Sequence, residues 1–347
     1  MPQKLVAKRP LGKNGPEVSA IGLGTMGMGA FYGKSDEEEC LKTLTYAADR
    51  GMTFWDTADI YGTSEDLLGK WFTQTGRRSE IFLATKFGAW DPTKNDRKPN
   101  SKPSYIRSEF QRSLTKLNTH YVDLYYQHRV DPEVPIEVVL ETLWPFVKSG
   151  QIRWIGLSEP SVATLRRAKA VKHAGGAVIA AQMEYSMFEL YVEKTGFADA
   201  INEYGMAVVA YSPLGRGLIT GRFRSPEDFD EGDWRRNALR FSKENFPKNL
   251  RIVDEINKFA AKYNTSSSQI ALAWILAEHP NFIPIPGARS VERVEENARA
   301  AEITLSPDDV LAIRALVEKA DVAGERYPPG AIPQGDCIPL SEWKGES

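Results

Sequence analysis

The stretch Phe54-Trp-Asp-Thr-Ala-Asp-Ile-Tyr-Gly62 carries a carboxylate, Asp56, at the end of a short apolar run and a phenol, Tyr61, five residues later. Two further apolar runs close in the same manner, Ile81-Phe-Leu-Ala-Thr-Lys86 on an ammonium and Val122-Asp-Leu-Tyr-Tyr-Gln-His128 on an imidazole. A free phenol titrates near ~10, so Tyr61 exchanges protons sluggishly unless a cation stabilises its phenolate. Lys86 can supply that cation, and Asp56 can keep the ammonium charged and aimed. His128 can hold a substrate carbonyl against the tyrosine hydroxyl. Taken singly each group has a plainer role: Tyr61 in packing, Lys86 as a solvated charge, Asp56 as a turn former. Their recurrence at the ends of successive strands favours chemistry, because parallel β/α barrels carry their catalytic groups there.

The elements that must position these groups follow a regular rhythm. Strand-like runs at 18–23, 53–56, 81–86, 122–128, 152–158, 178–183, 207–211 and 282–285 alternate with segments such as 36–50, 105–117, 136–148 and 161–171, whose apolar residues recur at three- and four-residue spacing. Ser35-x-x-Glu38 and Ser266-x-x-Gln269 read as capping boxes at helix starts. Asn14-Gly15 predicts a two-residue hairpin turn within residues 5–20. The expected fold is therefore α/β: a (β/α)8 TIM barrel forming a single domain over residues 1–347, with an N-terminal β-hairpin. Segments 88–103, 212–247 and the tail 322–347 interrupt the rhythm as long loops that could wall a substrate site.

With Asp56, Tyr61, Lys86 and His128 in this order and spacing, the chain resembles the aldo-keto reductase family from Gly22 to Asn297, and within it the fungal and plant branch of NADPH-dependent aldehyde reductases. The resemblance makes those four residues the catalytic tetrad. Gly22-Leu-Gly24-Thr-Met-Gly27 satisfies the G-x-G-x-x-G expression, yet a Rossmann site needs a helix starting on the glycines, and the helical signal waits until Ser35. The resemblance instead places Gly24, Thr25 and Met26, beside Asp56, at the nicotinamide end of a cofactor laid across the barrel mouth. It places Ser158 and Gln182 at the carboxamide and Tyr211 against the ring face. Glu159 departs from the asparagine that many family members carry after the serine.

Beyond Tyr211, the loop Ser212-Pro-Leu214-Gly215-Arg216-Gly217 reads as a pyrophosphate grip made of backbone N–H groups and an arginine. The run from Pro284 through Gly287, Arg289 and Arg293 to Glu296 and Asn297 starts a helix, a ready phosphate site. In the family it holds the adenosine 2′-phosphate and adenine, which implies NADPH over NADH. The plainer reading of Arg293 and Glu296 is an i,i+3 ion pair on a solvated face.

A formal charge of −2 gives no general attraction to nucleic acid or acidic membranes, and Cys40 and Cys337 lack the spacing of a disulfide framework or zinc site. No metal is expected. The absence of a signal-like or membrane-length apolar run points to the cytoplasm. Arg129 and Asp131 are read as a loop ion pair, and His120, His173 and His279 as surface or capping residues. Phe31, Tyr32, Trp90 and Trp234 suggest an aromatic-rich pocket for a small carbonyl substrate, or packing anchors for their loops. The leading expectation is NADPH-dependent reduction of an aldehyde or ketone with Tyr61 as proton donor. The alternative is a cofactor-binding regulatory or redox-sensing subunit of the same fold with little turnover.

Overall fold

A computed structural model describes residues 4–30, 35–91, 93, 97–327 and 335–346. Ten strands are present among the described residues. Lys8–Pro10 (β1) and Glu17–Ser19 (β2) form an antiparallel hairpin, while Leu23–Gly24 (β3), Phe54–Asp56 (β4), Phe82–Phe87 (β5), Val122–Gln127 (β6), Ile152–Ser158 (β7), Val178–Glu184 (β8), Ala207–Tyr211 (β9) and Phe282–Pro284 (β10) lie parallel, each beside the next. The ends of this sheet meet. Gly22 N donates to Pro284 O at 2.9 Å, Gly24 N donates to Pro286 O at 3.1 Å, and Gly24 and Gly287 form a parallel bridge, so the eight strands close into a (β/α)8 barrel. Glycine is required at the seam, since a Cβ on Gly22 would lie 2.8 Å from Phe54 O.

Strand alternation sorts the side chains into two cores. Phe54, Ala84, Leu124, Tyr126, Ala180, Ala207, Val209 and Ile283 pack inside the barrel, with Leu11 and Val18 of the hairpin joining them. The intervening strand residues meet the outer helices, as Trp55, Leu83, Tyr125 and Val208 do. Because both faces are covered, the strands read as near-continuous apolar runs, and a charge at a strand end stands out against them.

Four local readings change. The run 18–23 is not one strand, because Val18 pairs with Arg9 in the hairpin and Leu23 with Trp55 in the barrel. The hairpin loop spans residues 11–16 instead of two: Gly12 adopts φ 84°, and Lys13 N is satisfied by Gly205 O at 2.7 Å, so the turn closes against the barrel. Asp36, not Ser35, caps helix Glu37–Asp49, accepting from Glu39 N, while the Ser35 hydroxyl donates to Met28 O. A single helical turn, Met26–Gly29, already follows β3. The Ser266–Gln269 capping box forms as expected. No helix among the described residues is long and apolar enough to cross a membrane.

Candidate active site

Register brings the strand-end charges together. Asp56 ends β4 opposite Ala84 of β5, and Lys86, two residues further along β5, reaches back to it. The Lys86 ammonium is fully buried, ion-paired with Asp56, and donates to Thr57 O at 2.7 Å. Asp56 also accepts from Gln182 Nε2 at 2.7 Å, and the Thr25 hydroxyl donates to Asp56 O at 3.0 Å. A buried ion pair that keeps its remaining lone pairs occupied is one a folded chain can tolerate. Burial pulls the Lys86 ammonium below its ordinary value, against the opposing pull of Asp56.

Tyr61 stands over this pair. Its ring centroid is 5.0 Å from Lys86 Nζ and 5.7 Å from the His128 ring, the two rings nearly perpendicular. Close backbone contact sets its position: a Cβ on Gly29 would fall 2.2 Å from Tyr61 O, and one on Gly62 2.3 Å from Gly29 O. Burial, with Asp56 adding to it, pushes the Tyr61 phenol well above its usual value, against the pull of Arg129. The phenol is thus held protonated rather than poised as a phenolate. Burial, then Lys86 and Arg129, pulls His128 well below the ordinary histidine value, so its imidazole is neutral. Its Nδ1 and the Arg129 Nη1 are enclosed without hydrogen-bond partners among the described residues. The arrangement can present a neutral acid and a neutral hydrogen-bond donor to one small oxygen atom.

The remaining predicted residues fall around the mouth. Ser158 ends β7 beside Gln182 of β8, while Gly24 and Met26 flank Thr25 at the barrel seam. Tyr211 ends β9, its hydroxyl donating to Glu159 Oε1 at 2.9 Å. In the following loop Ser212, Gly215, Arg216 and Gly217 all adopt positive φ, and Leu214 accepts from Gly217 N at 3.0 Å. The Arg216 guanidinium departs from expectation: it is buried, donates to Glu184 Oε2 at 2.9 Å and to Arg326 O at 2.8 Å, and lies over Trp234. Trp234 is therefore a packing partner of that arginine. At the far end Gly287 and Arg289 are exposed, Ser290 caps helix Val291–Arg299, Arg293 pairs with Glu296, and Asn297 is buried. The plainer reading of Arg293 is realised in this state.

Arg129 forms no ion pair with Asp131, which accepts instead from Ser101 N at 2.7 Å and Glu133 N at 2.9 Å. His279 is not a bare capping residue: its ring Nε2 lies 2.8 Å from both Tyr185 Oη and Glu193 Oε1. Trp90 O accepts from Tyr105 Oη at 3.3 Å, and Phe31 and Tyr32 lie outside the described residues. No group of three potential metal ligands occurs among the described residues.

Sequence reading missed Glu184 and Arg326, which pair with Arg216 and Glu159, and Arg240, which lies 3.8 Å from Glu184. Glu184 carried the same signal as the tetrad, a charge closing an apolar strand, but the run had been ended at Met183. Asp59, buried two residues before Tyr61, was missed too; burial, then Glu109 and Glu65, pushes its carboxyl well above the usual range.

Known proteins match the chain over most of its length. A sequence model of the Aldo/keto reductase family matches residues 20–318. The Schizosaccharomyces pombe protein named aldo-keto reductase yakc [NADP(+)] is 48% identical over 319 residues, covering 90% of this chain and 93% of its own. Aldo-keto reductase str7 of Strobilurus tenacellus is 44% identical (89% and 92% covered), and probable aldo-keto reductase 1 of Glycine max 38% identical (94% and 93% covered). Among solved structures, a thermostable aldo-keto reductase in complex with the inhibitor epalrestat superposes with a TM-score of 0.72 at 30% identity, covering 89% of this chain and 99% of that one. With its closed barrel and its strand-end cluster, the chain belongs to the aldo/keto reductase family.

Proposed function

We propose that the protein reduces an aldehyde or ketone to the alcohol with NADPH, Tyr61 supplying the proton to the carbonyl oxygen. The observation that carries this reading is the placement of the buried Tyr61 phenol at the barrel mouth between Lys86 and His128, where burial favours the neutral forms of both rings. NADPH, when bound, supplies the hydride. The chain's own residues do the rest: His128 orients the carbonyl oxygen by hydrogen bond, Tyr61 protonates it, and Lys86, held by Asp56, compensates charge developing on the tyrosine oxygen.

The mouth fits such a cofactor in several respects. Ser158 and Gln182 stand side by side at strand ends, the Tyr211 ring offers a flat face, and the glycine-rich seam at Gly24, with Thr25 and Met26, lets a ligand approach the backbone. Backbone N–H groups of the 212–217 loop other than those of Gly215 and Gly217, which bond within it, would hold the pyrophosphate, and Gly287, Arg289, Arg293, Glu296 and Asn297 would hold the adenosine 2′-phosphate and adenine. The printed name of the S. pombe relative, with its NADP(+), supports the same cofactor.

Fluorescence titration with NADPH and NADH, followed by NADPH oxidation against 4-nitrobenzaldehyde, tests the reading. Tight NADPH binding and an oxidation rate that falls at least about a thousandfold in Tyr61→Phe, with binding retained, is the expected result. Undiminished turnover in that variant removes Tyr61 as the donor, and binding without oxidation of any carbonyl tried moves the weight to a regulatory subunit.

A further inference from the structure

Past the last long helix, one arginine of the C-terminal segment touches both the nicotinamide side and the pyrophosphate loop of the proposed cofactor site. The segment is pinned first to helix Phe246–Lys262: Ala323 N donates to Asn249 Oδ1 at 2.8 Å, and Asn249 Nδ2 donates back to Ala323 O at 2.9 Å. Gly324 then turns with φ 87°, its carbonyl accepting from Arg240 Nε at 3.1 Å. A Cβ there would lie 2.7 Å from the Leu239 carbonyl carbon, so the turn requires glycine.

This turn brings Arg326 against the mouth. Its guanidinium grips Glu159 through both nitrogens, Nη1 to Oε1 at 2.8 Å and Nη2 to Oε2 at 2.7 Å, with Nη1 also 3.7 Å from Glu184. Its carbonyl accepts from Arg216 Nη1 at 2.8 Å. Glu159 in turn accepts from the Tyr211 hydroxyl at 2.9 Å and from Glu184 N at 3.2 Å. The carboxylate is therefore occupied by the tail and by Tyr211, at the position after Ser158 where a carboxamide-binding asparagine would be expected. A two-point arginine fork fixes orientation as well as distance, unlike a single contact.

We propose that Arg326 is a positioning residue for the cofactor: its side chain fixes Tyr211 through Glu159, and its carbonyl fixes Arg216, which makes the C-terminal segment part of the dinucleotide site. The inference rests on the assignment of Tyr211 to the nicotinamide face. It gives Glu159 a role other than that of the asparagine it replaces, and it explains why a buried arginine of the 212–217 loop needs no phosphate to stay ordered.

NADPH titration by fluorescence, steady-state kinetics and thermal melting of the full chain test it in Arg326→Leu, Arg326→Lys, Glu159→Gln and the double Arg326→Leu/Glu159→Gln. The expected result is an NADPH Kd raised about tenfold in Arg326→Leu, partly recovered in Arg326→Lys, and no weaker in the double variant than in the worse single one. At saturating NADPH the KM for the carbonyl changes far less than the cofactor Kd. Additive losses, or a Kd within about twofold of wild type accompanied only by a lower Tm, overturn the positioning role. Wild-type protein that binds no NADPH overturns this inference together with the reading beneath it; wild-type binding matched by Arg326→Leu overturns this inference alone.

Discussion

Two buried ion clusters sit at the same end of the barrel, and they are built in opposite ways. Asp56 and Lys86 come from adjacent strands, so β4–β5 register alone sets their approach. Glu159, Glu184, Arg216 and Arg326 come from the residue after a strand, the end of the next strand, a loop and the tail, and Arg326 meets Glu159 across 167 residues of chain. The first cluster is inseparable from the sheet. The second pairs Arg216 with Glu184 but is completed only when the tail docks, which suits it to shaping a ligand site and makes it replaceable without loss of the barrel.

The strand-built cluster should break hardest. Lys86→Met leaves Asp56 buried with Gln182 as its remaining side-chain partner, and is expected to cost about 3 kcal/mol of stability, read as a lower midpoint in urea unfolding. A midpoint unchanged from wild type would mean that Asp56 is carried as a neutral acid, and the contrast between the two clusters would lose its basis. Loss of activity in the same variant follows from either outcome and decides nothing.

The proposed adenosine end belongs to neither cluster. Arg289 and Arg293 are exposed, and Arg293 pairs with Glu296 one helical turn away. Replacing both arginines by Ala is expected to weaken NADPH by about 30-fold relative to NADH, since hydrogen bonds to a charged group contribute roughly 1.5–3 kcal/mol. Equal losses for both cofactors would place the 2′-phosphate elsewhere and leave these arginines as a solvated face.

The comparison also explains what could be read from the chain alone. Asp56, Lys86 and His128 were legible because a charge closing an apolar strand has few other reasons to be there, and strand order then places the three together. Glu184 met the same test and was passed over through a one-residue boundary, the least certain part of any reading of elements. Arg326 was not legible by any local rule: its partners are 110 and 167 residues away, and periodicity carries no information about a tail. The hairpin failed for a related reason. Asn14-Gly15 is a good two-residue turn in isolation, but Lys13 N finds Gly205 O on the barrel, and a tertiary bond outweighed the local preference. Ser35 lost its cap to Asp36 because its hydroxyl reaches Met28 O in the preceding turn.

His128 joins the tetrad electrostatically, and its protonation separates the tetrad's contribution from that of the fold. Its folded-state value is depressed while an unfolded histidine titrates near ~6.5. Below that pH the unfolded chain binds a proton that the folded chain refuses, so stability falls as pH falls, by roughly 1 kcal/mol for each pH unit below the unfolded value. His128→Asn lacks this term. The gap between variant and wild-type unfolding free energies should therefore shift in the variant's favour by that amount between pH 7.5 and 5.5, and a constant gap would mean that the imidazole is protonated in the fold.

The smallest effect tests whether the adenosine end is supported from behind as the tetrad is. Ser266 caps helix Ser267–Glu278 through Gln269 N, and its hydroxyl also donates to Glu296 Oε1 at 2.7 Å, on the carboxylate that pairs with Arg293. Ser266→Ala removes both contacts. The cap alone contributes about 1 kcal/mol, to be read in thermal unfolding. If Glu296 is steered by Ser266, the same substitution should also change NADPH affinity by a factor of two or so, in the direction set by how far Glu296 competes with phosphate for Arg293. A stability loss with NADPH affinity unmoved would show that the helix start is a capped end and nothing more. Only the strand-built part of the mouth would then have a supporting layer readable from sequence.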